Sequence, residues 1–315
     1  MTRAESVDPQ VQALLDMMDQ QGVPPTYSLS VAEARARLKS LFETEDPTPV
    51  EGGVDDFEIE GPGGPIPIRA YDPGGEGPHP VLLFYHGGGW TLGDIEAYDE
   101  VCRALTNRAE VMVLSVDYRL APEHEFPAAV EDAYAALEWA AEYAGELGGD
   151  PDRLAVGGDS AGGNLSAAVT LLARDEDGPA IDHQLLIYPA VAVHDIHEFD
   201  SVEQNAEGYF LERESMEWFY GKYAPDPMDR RNEYLAPLLA SDYEGLPPAT
   251  VVTAGFDPLR DEGMAYADQL AADGVPVTHR NYDAMIHGFV SLLEMVETAD
   301  EAMDFLAGEL AATWD

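Results

Sequence analysis

Apolar residues follow two rhythms along the chain. Short continuous runs recur at 57–61 (FEIEG), 66–71 (IPIRAY), 80–86 (PVLLFYH), 111–117, 153–159, 183–189, 249–255 and 276–282. From the third onward they are rich in Val, Leu and Ile with little alternation, the pattern of strands covered on both faces. Between them, 128–143, 161–174, 261–272 and 299–312 space their apolar residues as amphipathic helices do. The alternation predicts an α/β fold, a mostly parallel eight-stranded sheet flanked by helices. The turn GPGGP joins the first two strands, which are expected to pair antiparallel at one edge.

Two stretches break the alternation. Residues 1–50 read as two helices, about 8–20 and 30–44, and 190–248 carry a helical pattern at 213–224 with an excess of aromatics. Both are read as a helical cap: 1–50 form cap helices, 51–315 the main domain, and about 190–248 a cap insertion within it. The start of the chain lacks the apolar core of a signal peptide. No run reaches the ~18–20 residues of a membrane span, so a cytoplasmic location is expected, off the membrane. Cys102 is the only cysteine, which excludes an intrachain disulfide and reads as a buried thiol.

Charge changes the picture. Asp and Glu number 61 against 16 Lys and Arg, a net of −45, and only Lys39 and Lys222 are lysines. Such a surface repels nucleic acid and anionic membranes. The acids lie between apolar segments along the whole length, so they coat a folded body. The composition resembles that of proteins from salt-accumulating microbes, and adaptation to high salt is expected.

Candidate chemistry sits at strand ends. The fifth strand runs into GGDSAGGN (157–164), where Gly158-x-Ser160-x-Gly162 separates a buried strand from an amphipathic helix. Small residues allow the sharp turn that exposes a serine at its apex, with the helix N-terminus behind it. A serine nucleophile needs a base. His79, His183 and His279 lie in or beside strands, His124 in a loop, and His194 and His197 in HDIHEFD, where a metal reading is weaker than a surface loop. His287, after the last strand, can descend onto Ser160. Asp257 directly follows the seventh strand and is preferred over Asp261 as the acid that orients the imidazole. Gly87-Gly88-Gly89 leaves the third strand at the same sheet edge. Its N–H groups, completed by that of Ala161, suit an oxyanion. No metal or cofactor is required by this chemistry.

The motifs HGGGW (86–90), DYRLAPEHEFPAA (117–129), GGDSAGGN, DPLRDEG (257–263) and IHGF (286–289) together resemble the hormone-sensitive-lipase-like carboxylesterases, over nearly the whole chain. The resemblance implies an α/β-hydrolase fold with a helical cap. It implies Ser160 as nucleophile, His287 as general base and acid, Asp257 as orienting acid, and Gly88, Gly89 and Ala161 as oxyanion donors. His86 and Gly87 would shape the loop, and Glu123 and His124 belong to a supporting loop. Expected activity is hydrolysis of short- to medium-chain carboxylic esters through an acyl-enzyme. A receptor on the same fold, as in hydrolase-like plant hormone receptors, would lack the histidine; an amidase or deacetylase would share the triad. Tyr209, Phe210 and Trp218 are candidates for the substrate pocket, with Phe219 and Tyr220 nearby, although a small core of the cap explains them equally. The expected partner is a small-molecule ester, and the sequence leaves room for a homodimer.

Overall fold

In β3 (His79–Tyr85) every second side chain belongs to a different core. Val81, Leu83 and Tyr85 pack on one face of the sheet, Leu82 and Phe84 on the other, and all are buried. A strand covered on both sides needs no polar alternation, which is why its sequence reads as one apolar run. The computed structural model describes residues 3–44, 46–193 and 199–314. Its eight strands are β1 (Gly53–Gly61), β2 (Gly64–Asp72), β3, β4 (Met112–Val116), β5 (Gly149–Asp159), β6 (His183–Ile187), β7 (Ala249–Phe256) and β8 (Val277–Ile286). Their order in the sheet is β1-β2-β4-β3-β5-β6-β7-β8. β1 and β2 form the expected antiparallel edge hairpin, β2 pairs antiparallel with β4, and all further pairings are parallel.

Helices cover both faces. α4 (Ala128–Tyr143), α5 (Ala161–Asp175) and α8 (Arg260–Ala272) pack on one, α3 (Asp99–Ala109) and α9 (Glu297–Ala311) on the other. The α3 helix is absent from the sequence expectation. Its apolar face (Val101, Cys102, Leu105, Ala109) is buried, but acids, arginine and asparagine between those positions mask the periodicity. The expected buried thiol of Cys102 is part of that face.

The stretches outside the alternation lie over the carboxyl ends of the strands. α1 (Pro9–Gln20) starts with Asp8 accepting the Gln10 N–H at 2.7 Å, with proline in its first turn. α2 (Val31–Phe42) opens with a capping box between Ser30 and Glu33. Arg35 of α2 donates to the Thr91 and Ala121 carbonyls and pairs with Glu123, and Lys39 pairs with Asp94, so the helix is fastened to loops of the sheet domain. The later stretch supplies α6 (Asp200–Gln204) and α7 (Arg213–Tyr223).

Candidate active site

The turn from β5 into α5 places Ser160 at φ 54°, ψ −112°, a strained conformation for a residue with a side chain. The flanking glycines are steric necessities. A Cβ on Gly158 would stand 2.1 Å, and one on Gly162 1.7 Å, from the Tyr85 carbonyl oxygen of β3. The turn is pinned by the Ser160 N–H donating to the Ile187 carbonyl at 2.8 Å, and its own carbonyl accepts from Ala190 at 3.2 Å.

Over this serine β8 runs four residues further than the sequence suggests, to Ile286, which pairs with Phe256 beyond an irregularity in the ladder. His287 follows at once. Its Nε2 is 2.9 Å from Ser160 Oγ and its Nδ1 2.7 Å from Asp257 Oδ2. An ionised carboxylate only accepts, so Nδ1 carries the proton and Nε2 offers a lone pair to the hydroxyl. Asp257 is fully buried, and its other oxygen accepts the Leu259 N–H at 2.8 Å. The rival Asp261 is elsewhere: it pairs with Arg260 and accepts from Ser201 N–H. The Tyr188 ring packs tilted against the imidazole, 4.7 Å between centroids.

The glycine loop enters beside Ser160. Gly88 and Gly89 have φ of 110° and 59°, and a Cβ on Gly88 would lie 2.3 Å from the Leu92 carbonyl oxygen. The first glycine is differently employed: Gly87 N–H donates to Asp159 Oδ1 at 2.7 Å, while Asp159 Oδ2 accepts from Tyr98 Oη at 3.3 Å. Gly88, Gly89 and Ala161, the first residue of α5, line a cavity together with Ser160. Burial pushes the Asp159 carboxyl up to about 6, against the opposing influence of nearby His287 and of its own hydrogen bonds. His86 is stacked between Tyr98 and Tyr118 and bonds to the Gly87 carbonyl at 2.7 Å, with burial lowering its pKa to about 4. A neutral imidazole thus braces the base of the loop.

An attacking hydroxyl, a base with its tautomer held, and free N–H groups nearby are what acyl transfer requires. The family model of the α/β-hydrolase fold matches residues 82–291. This chain belongs to the α/β-hydrolase fold family. It is 44% identical over 297 residues to the carboxylic ester hydrolase LipN of Mycobacterium tuberculosis, covering 92% of this chain and 78% of that one. It is 42% identical to the carboxylesterase NlhH of the same species, covering 94% of this chain and 92% of that one. Among solved structures, an α/β-hydrolase enzyme from the metagenome of Lake Arreo, Spain, superposes with a TM-score of 0.94 at 41% identity, with 99% of both chains covered.

Above Ser160 this α/β-hydrolase has a cavity of about 360 Å³, mostly apolar, whose floor includes Gly88, Gly89, Ala161 and His287. α1, α2 and the 210–220 stretch form its other walls. Phe210 lines it. Tyr209 and Trp218 do not, and the expectation for them is corrected. The cavity side of α7 carries Met216, Phe219 and Tyr220, spaced as one helical face; Trp218 falls off that face and packs on Phe219 and Lys222. Tyr209 turns away from its neighbour Phe210 to pack on Phe256, its hydroxyl accepting from Arg3 at 2.9 Å. Glu123 and His124 take no part in the cavity; the Arg35 hydrogen bond holds the Glu123 carboxyl down at about 2. His183 and His279 bond to Thr250 and Thr253 within the sheet. His194 and His197 lie outside the described residues.

Sequence reasoning passed over Asp159, Tyr98 and Glu262. An acid directly before the serine was a readable signal for the first. Glu262 is fully buried; its Oε1 accepts the N–H groups of Val191 and Ala192 at 2.7 and 3.1 Å, and Oε2 has no partner among the described residues. Burial, with Asp257 adding to it, pushes the carboxyl up to about 8 against those two hydrogen bonds. A carboxyl raised above its unfolded value of about 4.3 makes the fold less stable as pH rises, with the full cost above pH 8. Glu262→Gln keeps the acceptor and removes the charge. The gap in melting temperature between Glu262→Gln and wild type should widen between pH 5 and pH 9, by the equivalent of a few kcal/mol at about one unit per 1.36 kcal/mol. A gap independent of pH would contradict this account.

Proposed function

We propose that the protein is a carboxylesterase of the hormone-sensitive-lipase-like branch, hydrolysing short- to medium-chain carboxylic esters through an acyl-enzyme on Ser160, and adapted to high salt. The observation that carries the reading is the hydrogen-bonded series Ser160–His287–Asp257 under a mostly apolar cavity. His287 takes the serine proton as Oγ attacks the ester carbonyl. The N–H groups of Gly88, Gly89 and Ala161 receive the oxyanion, and the imidazolium returns the proton to the leaving alcohol. Water then repeats the cycle on the acyl-enzyme. The presence of His287 in bonding contact with Ser160 argues against a receptor that merely holds a ligand. A cavity of about 360 Å³ suits a small ester better than a long lipid chain. Residues 1–50 and about 190–248 act as the cap, a small-molecule ester is the partner, and the cytoplasm is the location.

The salt adaptation rests on the net charge of −45. The fold concentrates that repulsion, and the Debye length falls from about 10 Å at 0.1 M to about 3 Å at 1 M salt. Aryl esters from acetate to palmitate, assayed in KCl from about 0.1 to about 4 M with sucrose as a non-ionic control, test both parts. Activity should fall steeply beyond medium acyl lengths, and the melting temperature should rise with KCl and not with sucrose. Equal rates on palmitate would refute the chain-length reading; a melting temperature flat in KCl would refute the salt reading.

A further inference from the structure

α2 presents Ala34, Arg37, Leu38, Ser40, Leu41 and Phe42 to the cavity. Ala34 is buried, Ser40 is exposed and the others are half-buried, and apolar residues are the rule on the inward side of such a helix. Arg37 breaks that rule. Leu14, Met18 and Val23 line the cavity nearby in the chain, with Gln21 and Thr26 among them, so the surroundings are mostly apolar.

The other cations of the same helix behave differently. Arg35 pairs with Glu123, and Lys39 with Asp94 and Glu96. Arg37 has no ion pair among the described residues, in a chain with 61 acids. It donates to the Pro24 carbonyl and to Thr26 Oγ1. The rest of the five N–H donors of a guanidinium find no acceptor among the described residues. Burial lowers its pKa, and no carboxylate offsets that cost. Glu214 and Glu212 act on Tyr27, beside Thr26, yet neither pairs with Arg37.

We propose that Arg37 binds a carboxylate on the substrate, at the far end of an apolar chain whose ester lies over Ser160. This rests on the esterase reading above. The favoured substrates are half-esters of linear dicarboxylic acids, with one acid free. A guanidinium meets a carboxylate through paired N–H groups, and a monoanion is cheaper to desolvate in an apolar wall than a phosphate dianion. The net charge opposes anionic substrates at long range, but salt screens that repulsion more than a half-buried contact.

The test compares monomethyl esters of linear dicarboxylic acids, from about four to about ten carbons, with methyl esters of the matching monocarboxylic acids, in about 1 M KCl. For each pair the ratio of kcat/KM, acid over neutral, is measured in wild type, Arg37→Gln and Arg37→Lys. The ratio is internal to each variant, so partial loss of folded protein cancels. It should peak at one chain length in wild type, fall by about tenfold or more in Arg37→Gln through KM, and be kept only in part in Arg37→Lys, which retains the charge but not the paired N–H groups. A ratio flat with length, or unchanged in Arg37→Gln, overturns the proposal. So does an equal fall in both series, which would assign Arg37 to bracing the Pro24–Thr26 turn. Failure of wild type to hydrolyse the neutral esters would instead refute the esterase reading, and this inference with it.

Discussion

Ser160→Ala should lower aryl-ester hydrolysis by about 10⁴-fold or more while the melting temperature stays close to wild type. Only Oγ is removed. The backbone of the turn is held by its bonds to Ile187 and Ala190, and alanine inherits the same φ. His287→Ala should cost a similar factor in rate but behave differently in stability. It leaves Asp257, fully buried, without the partner that sits 2.7 Å away. Leaving a buried carboxylate oxygen without its donor costs about 1–3 kcal/mol or more, so this variant should melt below Ser160→Ala. Labelling with an organophosphate followed by peptide mass mapping checks the nucleophile. An adduct on another residue, or a tenth of wild-type activity in Ser160→Ala, would remove Ser160 from the role proposed for it.

The second large effect is expected at the glycine loop. Gly88→Ala puts a methyl group 2.3 Å from the Leu92 carbonyl oxygen on a residue at φ 110°, so the loop must move. Displacing one fixed N–H donor costs about 10²–10³ in kcat, with KM much less altered, because the donor matters most when negative charge has formed. Gly89→Ala should be milder. Its φ of 59° is one alanine can adopt at a cost, and its Cβ would meet the Phe219 ring, a side chain of the cap rather than backbone. Steady-state kinetics on one aryl ester, with circular dichroism as the check on folding, ranks the pair. A Gly88→Ala enzyme with wild-type kcat would exclude Gly88 as a donor.

The sheet was legible because its strands are buried on both faces, so burial alone writes long apolar runs such as PVLLFYH. The positions of Ser160 and Asp257 were legible for a related reason: each directly follows such a run, and parallel strands deliver their carboxyl ends to one edge; His287 was legible only from its place after the last strand. What stayed hidden depends on rotation about an element or on contacts between distant segments. Trp218 and Phe219 are adjacent in sequence, yet the helix turns only the latter to the cavity. β8 is an edge strand with mixed exposure, so its true end at Ile286 has no apolar signature. Arg37 and Glu262 look like ordinary members of a highly charged chain; only the folded neighbourhood shows that one lacks an acid and the other is sealed from water.

The reacting groups and the walls around them come from different parts of the chain. Ser160, Asp257 and His287 stand at the ends of β5, β7 and β8, anchored in the central sheet, whereas most of the cavity wall belongs to α1, α2 and the stretch near α7. Change in the walls therefore leaves the bond-making apparatus where it is. A lineage built this way can drift from one ester to another without passing through an inactive ancestor, and a protein engineer can graft a foreign roof onto an unaltered chemical floor.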